Sequence, residues 1–85
     1  MVLVLEIPEY EEREGIKIHW EYGFEIIADQ SDNGISIQAN KAGLTSLAIQ
    51  LLTLAQDAVP SGSHIHYDEH NSLESGSKKF ITGKK

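Results

Sequence analysis

The chain has no cysteine. That excludes a disulfide framework, a thiolate metal site and a cysteine nucleophile. Long apolar runs are missing too. Met1-Val2-Leu3-Val4-Leu5 has no basic residue before it and ends at Glu6. A secretory h-region needs roughly 7–15 apolar residues behind a positive segment, and a bilayer span needs about 20. The expectation is a cytoplasmic protein that uses no membrane. Positive charge is scarce as well: seven Lys and Arg stand against 13 Asp and Glu, a net charge of −6. A chain of this sign repels phosphate backbones, so sequence-independent nucleic-acid binding is disfavoured. No P-loop, Gly-x-Gly-x-x-Gly or Gly-x-Ser-x-Gly pattern occurs. Ser61, Ser63, Ser72 and Ser75 sit in Gly/Ser loops and read as turn residues. No enzymatic role and no cofactor are expected.

What is present suits one α+β domain over residues 1–85. Val2 to Ile7 reads as a first, central strand stopped by Pro8. Glu9 to Gly15 reads as a solvated connection with Gly15 in a turn. Strict alternation follows. Ile16, Ile18 and Trp20 share one face, with Lys17, His19 and Glu21 on the other. After a turn at Tyr22-Gly23, Phe24, Ile26 and Ala28 alternate with Glu25, Ile27 and Asp29. Gln30 to Gly34 is a turn cluster in which Asn33-Gly34 suits a tight hairpin. Ile35, Ile37 and Ala39 then alternate with Ser36, Gln38 and Asn40. Residues 16–39 are thus predicted to be a three-stranded meander.

At Asn40, a good N-cap, the period changes. The spacing predicts a helix from about Lys41 to Ala58, roughly 27 Å long. Leu44, Leu47, Ala48, Leu51, Ala55 and Ala58 form its apolar arc, predicted to be core. Thr45, Ser46, Gln50, Thr53, Gln56 and Asp57 form the opposite arc, predicted to face solvent. Ile49 lies outside the apolar stripe. A strand from Ser63 to Asp68 follows, with Ile65 and Tyr67 inward and His64, His66 and Asp68 outward. Lys78 to Thr82 reads as a final strand, and Gly83 to Lys85 as a frayed end. The predicted order is ββββαββ: one helix on a mostly antiparallel sheet of five to six strands.

Two constellations are candidates for function. The first is the acidic N-terminal third. Residues 1–33 hold nine carboxylates against Arg13 and Lys17, while residues 34–85 hold four against five lysines. Glu9, Glu11, Glu12 and Glu14, with Tyr10 and Tyr22 as exposed aromatics, form a candidate surface for a basic protein partner. The second is His64-x-His66-x-Asp68. Period-2 spacing places these side chains on one strand face, where two imidazoles and a carboxylate can share a metal ion. The spacing is similar to the His-x-His-x-Asp-His motif of metallo-β-lactamase-like hydrolases, but Glu69 here separates Asp68 from His70. A polar outer sheet face is the plain alternative. A third reading is a homo-oligomer built on edge strands and Ile49. The sequence leaves the oligomeric state open.

One resemblance is specific. Asn40-Lys41-Ala42-Gly43-Leu44-x-x-Leu47-Ala48, Leu51-Leu52-x-Leu54-Ala55 and Gly62-x-His64-Ile65-His66-x-Asp68 together resemble the immunity protein 32 family over about residues 34–75. The resemblance implies a small cytosolic bacterial protein that binds and blocks a cognate toxin of a polymorphic toxin system. It carries no catalytic residues.

Overall fold

The computed structural model describes all 85 residues. It contains strands β1 (Ile26–Ser31) and β2 (Gly34–Ala39), helix α1 (Lys41–Leu54), and strands β3 (His64–Tyr67) and β4 (Phe80–Gly83). The α+β class matches the sequence reading, but the single large sheet does not. There are two antiparallel two-stranded sheets, β1–β2 and β3–β4.

Hairpin β1–β2 forms where the alternation predicts it, but the turn pair is Asp32-Asn33 rather than Asn33-Gly34. Ile26 pairs with Ala39, and each later pair follows in register to Ser31 and Gly34. Asp32 and Asn33 make the two-residue turn, and Gly34 takes φ 121° directly after it, a value that suits glycine. The other edge of β1 is taken by the segment before β4. The Glu74 N–H donates to the Ile26 carbonyl at 2.9 Å, and the Lys78 N–H to the Ala28 carbonyl at 2.8 Å. The Ala28 N–H donates to Ser77 Oγ at 3.2 Å.

Residues 1–10 form no strand, and Met1, Val2, Leu3 and Val4 are exposed. Residues 16–22 form no strand either, so the predicted meander is only a hairpin. The alternation there still has a use. Ile16 and Trp20 pack against the core, whereas Ile18 is left exposed.

Helix α1 starts as predicted. Asn40 Oδ1 accepts from the Gly43 N–H at 2.8 Å and from the Glu25 N–H at 3.0 Å. Its Nδ2 donates to the Gly23 carbonyl at 2.9 Å, so one side chain caps the helix and fixes the turn before β1. Gly43 allows the close approach. A Cβ there would stand 2.7 Å from the Glu25 carbonyl oxygen and 2.9 Å from Ile26 Cγ1. The helix ends at Leu54, four residues earlier than expected. Lys84 holds the segment that follows, its Nζ donating to the Gln56 and Val59 carbonyls at 2.7 and 2.8 Å. The end expected to fray is therefore tied down at Lys84.

The helix is turned over relative to the sequence reading. Its buried residues are Gly43, Ser46, Ile49, Gln50, Thr53 and Leu54. Leu44 and Leu51 of the apolar arc are 55% and 50% exposed, and Leu52 on its flank is 48% exposed. The inward polar groups are all bonded, which makes their burial tolerable. Ser46 Oγ accepts from the Glu21 N–H at 2.7 Å and donates to the Ala42 carbonyl at 2.8 Å. Gln50 Nε2 donates to the His19 carbonyl at 2.9 Å, and Gln50 Oε1 accepts from the Tyr67 hydroxyl at 2.7 Å. Gln56 Nε2 donates to the Pro8 carbonyl at 2.9 Å, and Gln56 Oε1 accepts from the Tyr10 N–H at 3.0 Å. A backbone without a sheet neighbour still needs partners. Here the helix's polar arc, with Gln56 just past the helix end, supplies them to the segment from Pro8 to Glu21.

The core gathers Ile26, Ala28, Leu54, Val59, Ile65, Tyr67 and Leu73. Tyr67 stacks on Phe80 at 4.5 Å and meets Trp20 edge-on at 6.3 Å, while Trp20 stacks on Phe24 at 4.3 Å. No helix is long and apolar enough to cross a membrane.

Candidate functional site

The acidic third is laid over the helix's inward face, held there through its main chain. That leaves its charged side chains outward. Glu9, Glu11, Glu12 and Glu14 are all exposed. Glu11 to Gly15 closes a tight turn in which the Glu14 and Gly15 N–H groups both donate to the Glu11 carbonyl. Gly15 takes φ 74° there, as its predicted turn role requires. The Lys17 ammonium bonds Glu14 at 2.8 Å. This contact holds the Glu14 carboxyl below its ordinary value and raises the lysine's own pKa.

The two tyrosines separate. Tyr22 is fully exposed at the Tyr22-Gly23 turn, as a contact residue would be. Tyr10 is not: its ring packs against the core, so its part in the surface falls to its neighbours Glu9 and Glu11.

Beside this turn lies a cleft of about 650 Å³, lined among others by Leu5, Glu6, Glu9, His19, Glu21 and Ile49. Ile49, unexplained by the helical pattern, is buried and forms part of its floor. His19 Nε2 lies 2.6 Å from Glu21 Oε2, an ion pair when the imidazole is protonated. Apolar walls rimmed by carboxylates suit a lysine or arginine side chain, which pairs an aliphatic stem with a cationic head. Sequence reasoning missed that Glu6 and Glu21 line one cleft. The period-2 relation of His19 and Glu21 was the available signal, since it puts both on one face.

The histidine strand behaves differently. Ile65 and Tyr67 point inward and His64 and His66 outward, as expected. The two imidazoles lie edge to face at 4.8 Å. Asp68, however, falls after the end of β3. Its Oδ1 accepts from the His70 and Asn71 N–H groups at 2.8 and 3.0 Å, which uses the carboxylate to shape a turn. His64 Nδ1 is engaged with the Gly62 carbonyl at 2.9 Å. No three His, Asp or Glu side chains come together to hold a metal ion. His64, His66 and Asp68 thus form no three-ligand group in this structure, and Asp68 is engaged in the turn after β3.

Comparison with known proteins agrees with the helix start and the histidine strand. No curated protein and no solved structure matches the chain. The family model described as immunity protein 32 matches residues 34–85, which contain β2, α1, β3 and β4. Those residues are well over half of the chain, and they include every motif that carries the resemblance: this protein belongs to the immunity protein 32 family.

Proposed function

We propose that this protein is a bacterial, cytoplasmic immunity protein that binds and neutralises a cognate toxin, and that its N-terminal acidic face meets a basic surface of that toxin. One observation carries the reading. Nine of the 13 carboxylates fall in residues 1–33, and the family-matched helix holds this segment by its backbone with the acidic side chains outward. Glu9, Glu11, Glu12 and Glu14 form the exposed part, Tyr22 is an aromatic anchor, and the Glu6, Glu9 and Glu21 cleft receives a cationic side chain. Opposite charge on the two partners speeds encounter and fixes orientation. The role is inhibitory by occupancy and requires no catalytic group or cofactor in this chain.

The test is direct binding to the product of the neighbouring toxin gene by calorimetry across a salt series. Affinity is expected to fall steeply with salt, and to weaken by at least tenfold when Glu9, Glu11, Glu12 and Glu14 are changed together to Gln. Growth rescue on co-expression should fail with the same variant. Salt-insensitive binding, or full rescue by the quadruple variant, would overturn the assignment of this face.

A further inference from the structure

The two edges of hairpin β1–β2 are treated differently. The β1 edge is covered by Glu74 to Lys78, as described above. The β2 edge is covered by nothing in the chain. The register fixes which groups it presents. Ser31 and Gly34 flank a two-residue turn and so are a hydrogen-bonded pair, as are residues two apart along the ladder. The Asn40 N–H donating to the Glu25 carbonyl at 3.1 Å continues the same parity. Gly34, Ser36 and Gln38 therefore bond to β1. Ile35, Ile37 and Ala39 turn their N–H and C=O groups away from it.

Natural edge strands are guarded by charge, proline or a bulge. The β2 sequence, Gly-Ile-Ser-Ile-Gln-Ala, has none of these, and its pairing with β1 is regular throughout. Toward the turn its inner face is also uncovered, although Ala39 at its far end packs against the core. Ile35 and Ile37 are 74% and 41% exposed, although Ala28, opposite Ile37, is buried. Charge then selects the occupant. Between Asp32 and Asp57 the only charged residue is Lys41. In a chain of net charge −6, this neutral stretch is where two copies meet with least repulsion. A basic partner is drawn instead to the N-terminal third.

We infer that β2 pairs antiparallel with β2 of a second copy about a two-fold axis at Ile37. In this register Ile37 lies opposite its own counterpart, and Ile35 lies opposite Ala39 of the second protomer. The outward N–H and C=O groups of Ile35, Ile37 and Ala39 are all satisfied. The product is a four-stranded sheet, β1–β2–β2–β1, whose outer edges are already covered by residues 74–78. Pairing is isologous and stops at two.

Sedimentation velocity and light scattering on the full chain test this. The expected mass is twice the 9.4 kDa of the monomer at micromolar concentration. Ile37→Pro removes a donor at the two-fold that makes no bond to β1, and Ile35→Lys places like charges on the shared apolar face. Each should weaken dimerisation at least tenfold with the circular dichroism spectrum unchanged. Ile35 is mostly exposed, so the lysine variant remains informative if the proline variant fails to fold. A wild-type monomer at the highest attainable concentration overturns the inference, and so does a dimer indifferent to both substitutions. A monomer that dimerises only around an added partner strand overturns self-pairing in the same way.

Discussion

Replacing Gln50 with Ala should cost far more stability than replacing Leu51 with Ala. Ordinary expectation for an amphipathic helix runs the other way. Gln50 is fully buried, and its amide joins the His19 carbonyl to the Tyr67 hydroxyl. Truncation leaves that hydroxyl with only a 3.4 Å approach to Thr82 Oγ1. An unsatisfied buried polar group costs about 1–3 kcal/mol, and the space left by the side chain adds to it. A loss of roughly 3 kcal/mol follows. In a domain of this size it lowers the melting temperature by about 12–24 °C, at about 4–8 °C per kcal/mol. Leu51 is half exposed, so Ala there forfeits about 1 kcal/mol or less of apolar burial and gains slightly in helix propensity. Urea and thermal melts followed by circular dichroism would measure both variants. If Leu51→Ala proves the more damaging of the two, the helix faces the other way and the polar attachment of the N-terminal segment is wrong.

Gly43→Ala improves intrinsic helix propensity by about 1 kcal/mol, yet it should destabilise the protein, because the new methyl meets Glu25 backbone oxygen at 2.7 Å. A melting temperature above wild type would refute the close approach. Burial raises the Tyr67 pKa above its ordinary 10.0. The folded state thus favours the neutral phenol, and this contribution is complete below pH about 10 and is lost as pH rises through the folded value. Denaturant melts between neutral pH and pH 11 should show that decline, and Tyr67→Phe should flatten it. An unchanged slope in the Phe variant would assign the decline to other groups.

Much of the family-matched region could be read from sequence, because local signals there agree with tertiary partners. Asn40 caps the helix, and Ile65 and Tyr67 alternate inward as their spacing requires; just before that region, Ile26 and Ala28 face the core as read. The N-terminal third was misread for a physical reason. Alternation at Ile16, Ile18 and Trp20 shows that a segment has two faces, but not whether its main chain bonds to a neighbouring strand or to side chains. The segment turned to Ser46, Gln50 and Gln56 for its hydrogen bonds, and the helix rotated its polar arc inward to provide them. Periodicity identified both arcs of α1 correctly. It could not say which arc would find partners, and Ile49 was the one residue that hinted at the answer. Among the site residues, exposure of the four glutamates and Tyr22 followed from composition. The use of Asp68 in the turn after β3 was not legible, because it depended on where β3 ends.

The way α1 grips the N-terminal segment has an evolutionary consequence. Ser46, Gln50 and Gln56 hold carbonyls and N–H groups of Pro8, Tyr10, His19 and Glu21, and every residue type offers a carbonyl. The outward side chains of that segment can therefore be exchanged at little cost to folding. An inhibitor matched to a changing target benefits from such an arrangement. If the proposed role holds, such a surface can change residue by residue, because the anchoring bonds do not depend on which side chains it carries.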